Sequence, residues 1–147
     1  VNPEIKAQWL TDLRSGDFEK GTGKLHKVAS VYDYYSPSGR TVKHTFCCLG
    51  VLAEQAVAAG VARRELVGSE ENGSYRYFPV DSNDKNEANS NYLPACIQDW
   101  AGLTTANPRV VSPEDLNVGE VTVTLGSLND DYLLSFEPIA AIVETDL

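Results

Sequence analysis

Histidine is scarce in this chain: His26 and His44 are the only two. Cysteine is limited to Cys47, Cys48 and Cys96, an odd number with two adjacent and no Cys-x-x-Cys pair. That argues against a disulfide framework and against a zinc site of familiar spacing, and leaves buried free thiols as the plain reading. Gly-x-Ser-x-Gly and His-Glu-x-x-His are both missing, so neither a nucleophile elbow nor a metalloprotease helix is indicated. No metal and no cofactor is expected. Methionine is absent, at position 1 as elsewhere, which fits either a non-standard start codon or a trimmed terminus. No apolar run reaches the ~18 residues that span a bilayer. Asn2 to Arg14 is amphipathic and charged throughout, unlike a signal peptide. A soluble, cytosolic chain without membrane contact is the expectation.

Basic residues are short in the second half. Residues 65–147 hold three Lys/Arg against fifteen Asp/Glu, whereas residues 1–64 hold nine against six. The net charge of −9 argues against general DNA or RNA binding. Any surface that attracts an anion is expected in the N-terminal half.

What is present begins with Thr45 to Gly60, the most apolar stretch. Leu49, Leu52, Ala53 and Ala56 fall at i, i+3, i+4 and i+7, one face of a helix. Gly60 stands where a helix end favours a left-handed residue. Gly50, Ala53, Ala56 and Ala59 are small enough for close backbone approach. The stretch reads as a strand feeding directly into a central core helix.

Around it, Asn2-Pro3-Glu4 reads as N-cap, N1 proline and first-turn carboxylate, opening a helix that ends near Ser15-Gly16 with Trp9 as a core or staple residue. Gly16 to Lys24 has the glycines and lysines of a phosphate-cradling loop, but a helix precedes it and a strand follows, so a plain turn is the better reading. Residues 25–35 and 40–47 form a β-hairpin about Ser36-Pro37-Ser38-Gly39. Short strands are expected at 63–67 and 74–80, the second an edge strand because of Pro79. Residues 81–91 are almost wholly polar and read as a mobile loop that tolerates insertion. Tyr92 to Leu103 is a short helix with Ile97 and Trp100 facing inward. Arg109-Val110-Val111 is extended, Ser112 to Asp115 caps a helical turn, and Glu120 to Thr124 is a strand unless Thr124 to Leu128 starts a helix. Leu128 to Asp131 is a polar turn, and Ser135 caps a last helix with Phe136, Ile139, Ala140, Ile142 and Val143 as its stripe. The 147 residues suit one domain with a sizeable core. The expected fold is α+β: an antiparallel, hairpin-based sheet packed against three or four helices.

Candidate chemistry gathers on the hairpin. By period two, Val42, His44, Phe46 and Cys48 share one side and Thr41, Lys43, Thr45 and Cys47 the other. A histidine among apolar residues is either a hydrogen-bonded core residue or a ligand contact. Tyr32, Tyr34 and Tyr35 cluster with Arg40 at the hairpin end, a combination that suits stacking on a ring and holding an anion, and equally an ordinary sheet. Cys47 with His44 or His26 is a conceivable nucleophile and base, but no third orienting residue is indicated. Asn129-Asp130-Asp131 offers carboxylates without EF-hand spacing, and a turn explains it as well.

Several stretches together carry a resemblance. They are Leu13-Arg14-Ser15-Gly16, Gly21-Thr22-Gly23, Thr45 to Leu52, Tyr92-Leu93-Pro94 with Asp99 to Leu103, Leu128-Asn129-Asp130, Ser135-Phe136 and Ile139-Ala140. The chain resembles a family of small, uncharacterised bacteriophage and prophage proteins over nearly its whole length. It departs at Ala53, where relatives often carry another cysteine, and at Asp131 to Leu134, which replaces a glycine-containing turn. The resemblance implies an accessory viral protein in the cytoplasm of an infected host. Such a protein works by binding, alone or as a homo-oligomer. One target is a nucleotide-derived immune signal, sequestered by Tyr32, Tyr34, Arg40, Lys43 and His44. The other is a host protein blocked by surface contact. A third reading, a small hydrolase acting on the signal, lacks the histidines and metal ligands such chemistry normally uses.

Overall fold

The computed structural model describes residues 1–111 and 122–147. In chain order the elements are α1 (Pro3–Ser15), β1 (His26–Tyr32), β2 (Arg40–Phe46), α2 (Cys48–Ala58), β3 (Ala62–Val67), β4 (Asn72–Pro79), α3 (Ala95–Ala101), β5 (Arg109–Val111), β6 (Thr122–Thr124), α4 (Leu125–Asp130) and α5 (Phe136–Asp146). The first four strands make an antiparallel sheet in the order β2-β1-β4-β3, and β5 pairs with β6 in a small second sheet. This is the expected α+β architecture. The expected helical turn at Ser112 to Asp115, and Glu120-Val121 of the last expected strand, lie outside the described residues.

Helix α2 is the element the rest surrounds. Cys48 to Ala53 and Ala56 are all buried, so the helix is apolar on almost every side rather than on one stripe. It ends in a Schellman motif: Gly60 adopts φ 74°, its N–H donates to Val57 O, and Val61 N–H donates to Ala56 O. Gly50 is required by contact: a methyl there would lie 2.6 Å from the Leu25 carbonyl carbon and closer still to its oxygen. Backbone of the β1 entry therefore rests directly on α2. Ala59, by contrast, is exposed and takes no part in close packing. Trp9 of α1 is fully buried and donates its indole N–H to Cys48 O at 2.9 Å, tying α1 to the same helix.

Asn129 joins three of the stretches that carry the resemblance. It is buried, its Oδ1 accepts from Cys48 N–H at 3.2 Å, and its Nδ2 donates to Gly21 O at 2.8 Å and to Asp130 Oδ1 at 2.7 Å. Lys20 Nζ donates to Asn129 O. The glycine-rich segment is thereby spent on structure: Gly21 N–H donates to Phe46 O, and Phe46 N–H to Glu19 O.

Several expectations are corrected. Strand β4 is an inner strand, with β1 on one side and β3 on the other; Pro79 is tolerated because it is the last residue of the strand. Residues 81–91 are pinned rather than loose. Leu25 N–H donates to Ser90 O, Tyr77 and Asn89 exchange backbone bonds, and Arg63 Nη2 reaches Ser82 O and Asn83 Oδ1. Their polar side chains serve as local caps, as Asp84 Oδ1 does for Asn86 N–H in a short 3-10 turn. Leu125 to Asp130 is helix, capped by Thr124 Oγ1 on Ser127 N–H, so Leu128 to Asp131 is a helix end and not a turn. Trp100 is half-buried while Ile97 is fully buried. Leu133 sits at φ 55°, a left-handed geometry that glycine adopts without strain.

Candidate functional site

The register of the sheet assigns every side chain to a face. His26 lies opposite Phe46, Val28 opposite His44, and Tyr32 opposite Arg40; on the other flank Val28 lies opposite Gly73, and Tyr77 and Tyr75 lie opposite Arg64 and Leu66. One face therefore carries Tyr32, Arg40, Val42, His44, Phe46, His26, Tyr75, Tyr77 and Arg64. Its lower half, with Phe46, His26, Tyr77 and Ala62, is buried beneath α2. Its upper half is open: Tyr32, Arg40, Val42 and His44 are exposed, and Arg64, exposed as well, stands at the other end of the face opposite Tyr77.

Of the five residues proposed as a ligand site, Tyr32, Arg40 and His44 share this open face. Lys43 does not. It points to the opposite face and pairs with Glu19 at 3.4 Å. Tyr34 lies in the tip, where Asp33 Oδ1 accepts from Tyr35 N–H and Gly39 takes φ 72°. Tyr34 and Tyr35 meet edge to face, with ring centroids 5.5 Å apart, and are 78% and 93% exposed. Arg40 Nη1 donates to Ser30 Oγ at 3.3 Å.

Where the open and buried halves meet, a polar cluster is built on five elements and their neighbours. His26 of β1 is buried, flanked by Phe46 (centroids 4.2 Å apart) and stacked on Tyr75 (4.4 Å). Its Nε2 lies 2.8 Å from His44 Nδ1. Its Nδ1 lies 3.3 Å from Tyr77 Oη and 3.5 Å from Glu54 Oε1. Tyr77 donates its hydroxyl proton to Glu54 Oε1 at 2.5 Å, and Arg64 Nη1 pairs with Glu54 Oε2 while its guanidinium lies over the Tyr75 ring.

The electrostatics follow from this packing. Burial alone would raise the Glu54 pKa, but hydrogen bonds from His26, Arg64 and Tyr77 outweigh it and hold the carboxyl down at about 2. Burial and the adjacent carboxylate push the Tyr77 phenol far up, so it stays a donor. His44 is lowered, first by desolvation and then by the charge of His26 and Arg64. At neutral pH the site thus offers a neutral imidazole beside a paired guanidinium.

Cys47 and Cys48 are both buried and have the character of unreactive thiols. Burial raises the Cys47 thiol to about 11, and Cys48 is raised further towards the inert side. Both ring nitrogens of His26 are engaged, by His44 and by the Tyr77–Glu54 pair, and among the described residues neither histidine is hydrogen-bonded to Cys47. Asn129 is spent on backbone groups, and among the described residues no group of three or more His, Cys, Asp or Glu is placed to hold a metal ion.

A groove of about 580 Å³ lies on the other side of α2, between Ile5, Phe18, Ala58 and Trp100, with Glu4, Asp12 and Glu54 on its walls. It has carboxylates and no lysine or arginine, so it does not suit an anion.

Sequence reasoning missed Glu54, Arg64, Tyr75 and Tyr77. Two signals bear on them: Glu54 is the lone charge in the apolar helix Cys48–Ala58, and His44 is a titratable residue on an apolar strand face.

Comparison with known proteins places the chain in a family. The family described as a domain of unknown function, DUF8296, matches residues 1–147, and the chain belongs to it. No curated protein and no solved structure matches. Among the described residues no helix is long and apolar enough to cross a membrane.

Proposed function

We propose that this DUF8296 member is a non-catalytic binder that captures an anionic, aromatic ligand on the open upper face of its four-stranded sheet. The ligand class is a nucleotide-derived signal. The observation that carries the reading is the placement of Tyr32, Arg40 and His44 on one uncovered strand face, with the Tyr75 ring beyond His44, in a chain whose net charge is −9. Arginine supplies a planar donor fork for phosphate, and tyrosine faces accept a base. Arg40 and His44 are four residues apart, roughly 14 Å along the strand. One phosphate does not span that distance; a nucleotide carrying phosphate at one end and base at the other does. Lys43 has no part in this site. The resemblance to small phage and prophage proteins supplies the biological setting: sequestration of an immune signal in an infected bacterial cell, as an anti-defence protein.

A thermal-shift screen against cyclic nucleotides and ADP-ribose derivatives tests this, with mass spectrometry of the recovered ligand. A ligand at a hundred times its Kd stabilises by about 2.7 kcal/mol. The expected result is a shift with the ligand released intact, lost in Arg40→Ala and kept in Lys43→Ala. No shift with any nucleotide, or an unchanged affinity in Arg40→Ala, overturns it. A chemically altered ligand points to a hydrolase instead.

A second reading has its own observation. Tyr34 and Tyr35 project from the hairpin tip, and tyrosine-rich tips are effective protein contacts. In that reading the tip docks on a host protein and blocks it. A photo-crosslinking residue placed at 34 or 35, but not at 70, would then trap one host protein reproducibly, while the nucleotide screen stays silent.

A further inference from the structure

The groove between α1 and α2 has two ends, and each pairs an aromatic ring with a carboxylate. Trp100 stands by the start of α1, because Asn2 N–H donates to Ala101 O at 2.8 Å. Glu4, in the first turn of α1, lies on the same wall. Phe18 follows the end of α1, and Asp12 lies near that end. Glu4 and Asp12 are eight residues apart, roughly 12 Å along the helix axis. Ile5 and Ala58 give the groove its apolar wall.

The two carboxylates are without a cation. Asp12 accepts from neutral amides, Gln8 Nε2 at 2.8 Å and Gln55 Nε2 at 2.6 Å, and each of its oxygens keeps a lone pair. Among the described residues neither Asp12 nor Glu4 belongs to an ion pair. Glu54, on the same groove, differs: its oxygens are taken by Tyr77 and Arg64. The amide that holds Asp12 is itself incomplete. Its nitrogen must face the carboxylate, and Gln55 Oε1 is then buried with no hydrogen-bond partner among the described residues. Beside Asp12 the groove thus has a carboxylate without a cation next to an acceptor without a donor.

We propose that this groove binds a linear organic dication, an alkyl chain with an ammonium group at each end. The chain lies along α1 against Ile5 and Ala58. One ammonium pairs with Glu4 beside the Trp100 ring, whose face attracts a cation, and the other pairs with Asp12. A volume of about 580 Å³ is that of a small-molecule pocket. A ligand with one charge leaves one carboxylate unpaired. The site uses none of Tyr32, Arg40 or His44 and is independent of the sheet face.

The full chain, 15N-labelled, is titrated at pH 7.5 and constant ionic strength with octamethylenediamine, whose extended length is close to the carboxylate spacing. The two indole N–H signals are separate reporters: Trp9 is fully buried on Cys48 O, and Trp100 is half-buried on the groove. The expected result is movement of the Trp100 signal with that of Trp9 unchanged. The amino-alcohol of the same length should bind about fivefold more weakly, and the diol more weakly again. Glu4→Gln, at an exposed position, should bring the diamine to the Kd of the amino-alcohol. Ala58→Phe, also at an exposed position, fills the groove and should abolish the response to all three. A Trp100 signal that stays in place, or moves together with that of Trp9, overturns the site. Equal affinity for diamine and diol overturns the role of charge. Equal affinity for diamine and amino-alcohol, or a diamine Kd unchanged by Glu4→Gln, overturns the two-ended arrangement.

Discussion

The β1–β2 hairpin is held in two different ways along its length. At its base, His26 and Phe46 face α2, the Leu25 carbonyl rests on Gly50, and Phe46 N–H and C=O are bonded to Glu19 and Gly21. At its tip, Tyr32, Tyr34 and Tyr35 extend into solvent, and the turn is held by its own backbone and by Ser36, Ser38 and Asp33. Strand alternation is the same throughout; what changes is the layer beneath it. The base is constrained from several elements at once. The tip can change its side chains without disturbing the rest, which is the condition for a recognition surface. The His26–His44 bond sits at the boundary, one ring in each regime.

The largest expected effect is at the base. Gly50→Ala drives a methyl into the Leu25 carbonyl, a backbone group that cannot rotate away. The expected cost is about 3 kcal/mol or more, read as a fall in urea midpoint or a failure to fold. The matched change at the tip is Gly39→Ala, where φ is 72° but nothing lies within 4 Å. It should cost about 1 kcal/mol, for left-handed strain alone. Equal costs at the two glycines would break the comparison.

Next comes the carboxylate beneath the boundary. The folded pKa of Glu54, about 2, lies below its ordinary value of 4.5. Its contribution is therefore fully present above about pH 5 and is lost as pH falls from the unfolded value towards the folded one. The side chain is 17% exposed, so solvent screening is modest. Roughly 3 kcal/mol is at stake. Urea denaturation at pH 7 should show Glu54→Gln less stable by about that amount, and the gap to wild type should shrink steadily between pH 4.5 and pH 2. A gap that stays constant with pH would mean that the amide loses packing rather than charge. Asn129→Ala is expected to cost somewhat less, about 2 kcal/mol, by leaving the buried Cys48 N–H and the half-buried Gly21 O without their partner.

How much of this was legible in the sequence follows the same division. The hairpin, α1, α2 and α5 could be read because their signals are local: alternation, the Asn2-Pro3 cap, the Leu49–Ala56 spacing, Gly60. The inner position of β4 could not, because it depends on Asn72 to Ser74 pairing with β1 across some forty residues, and Pro79 pointed the wrong way. Residues 81–91 looked loose because a polar composition is shared by mobile loops and by loops whose side chains cap their own backbone. The candidate site was half legible. Period two already put Lys43 and His44 on opposite sides, although the expected ligand set joined them; the sheet register adds Tyr32 and Arg40 to the His44 side. Glu54, Arg64 and Tyr77 come from three other elements, and only tertiary packing brings them to His26.

The smallest expected effect is at the tip, and it decides what the tip is for. Tyr34→Ser with Tyr35→Ser removes two rings that touch mainly each other and solvent. Stability should change by no more than about 0.5 kcal/mol, because little apolar area returns to water that was not already there. A loss well above that would mean that the rings pack on the body of the protein in solution, and the tip would then belong to the fold like the base. If stability holds, the same double variant separates the two binding readings. A nucleotide seated against Arg40 and His44 should keep its affinity within a few-fold, because Tyr32 remains. A partner protein gripped by the tip should be lost, since exposed aromatic anchors carry a disproportionate share of interface energy, ~2 kcal/mol or more each.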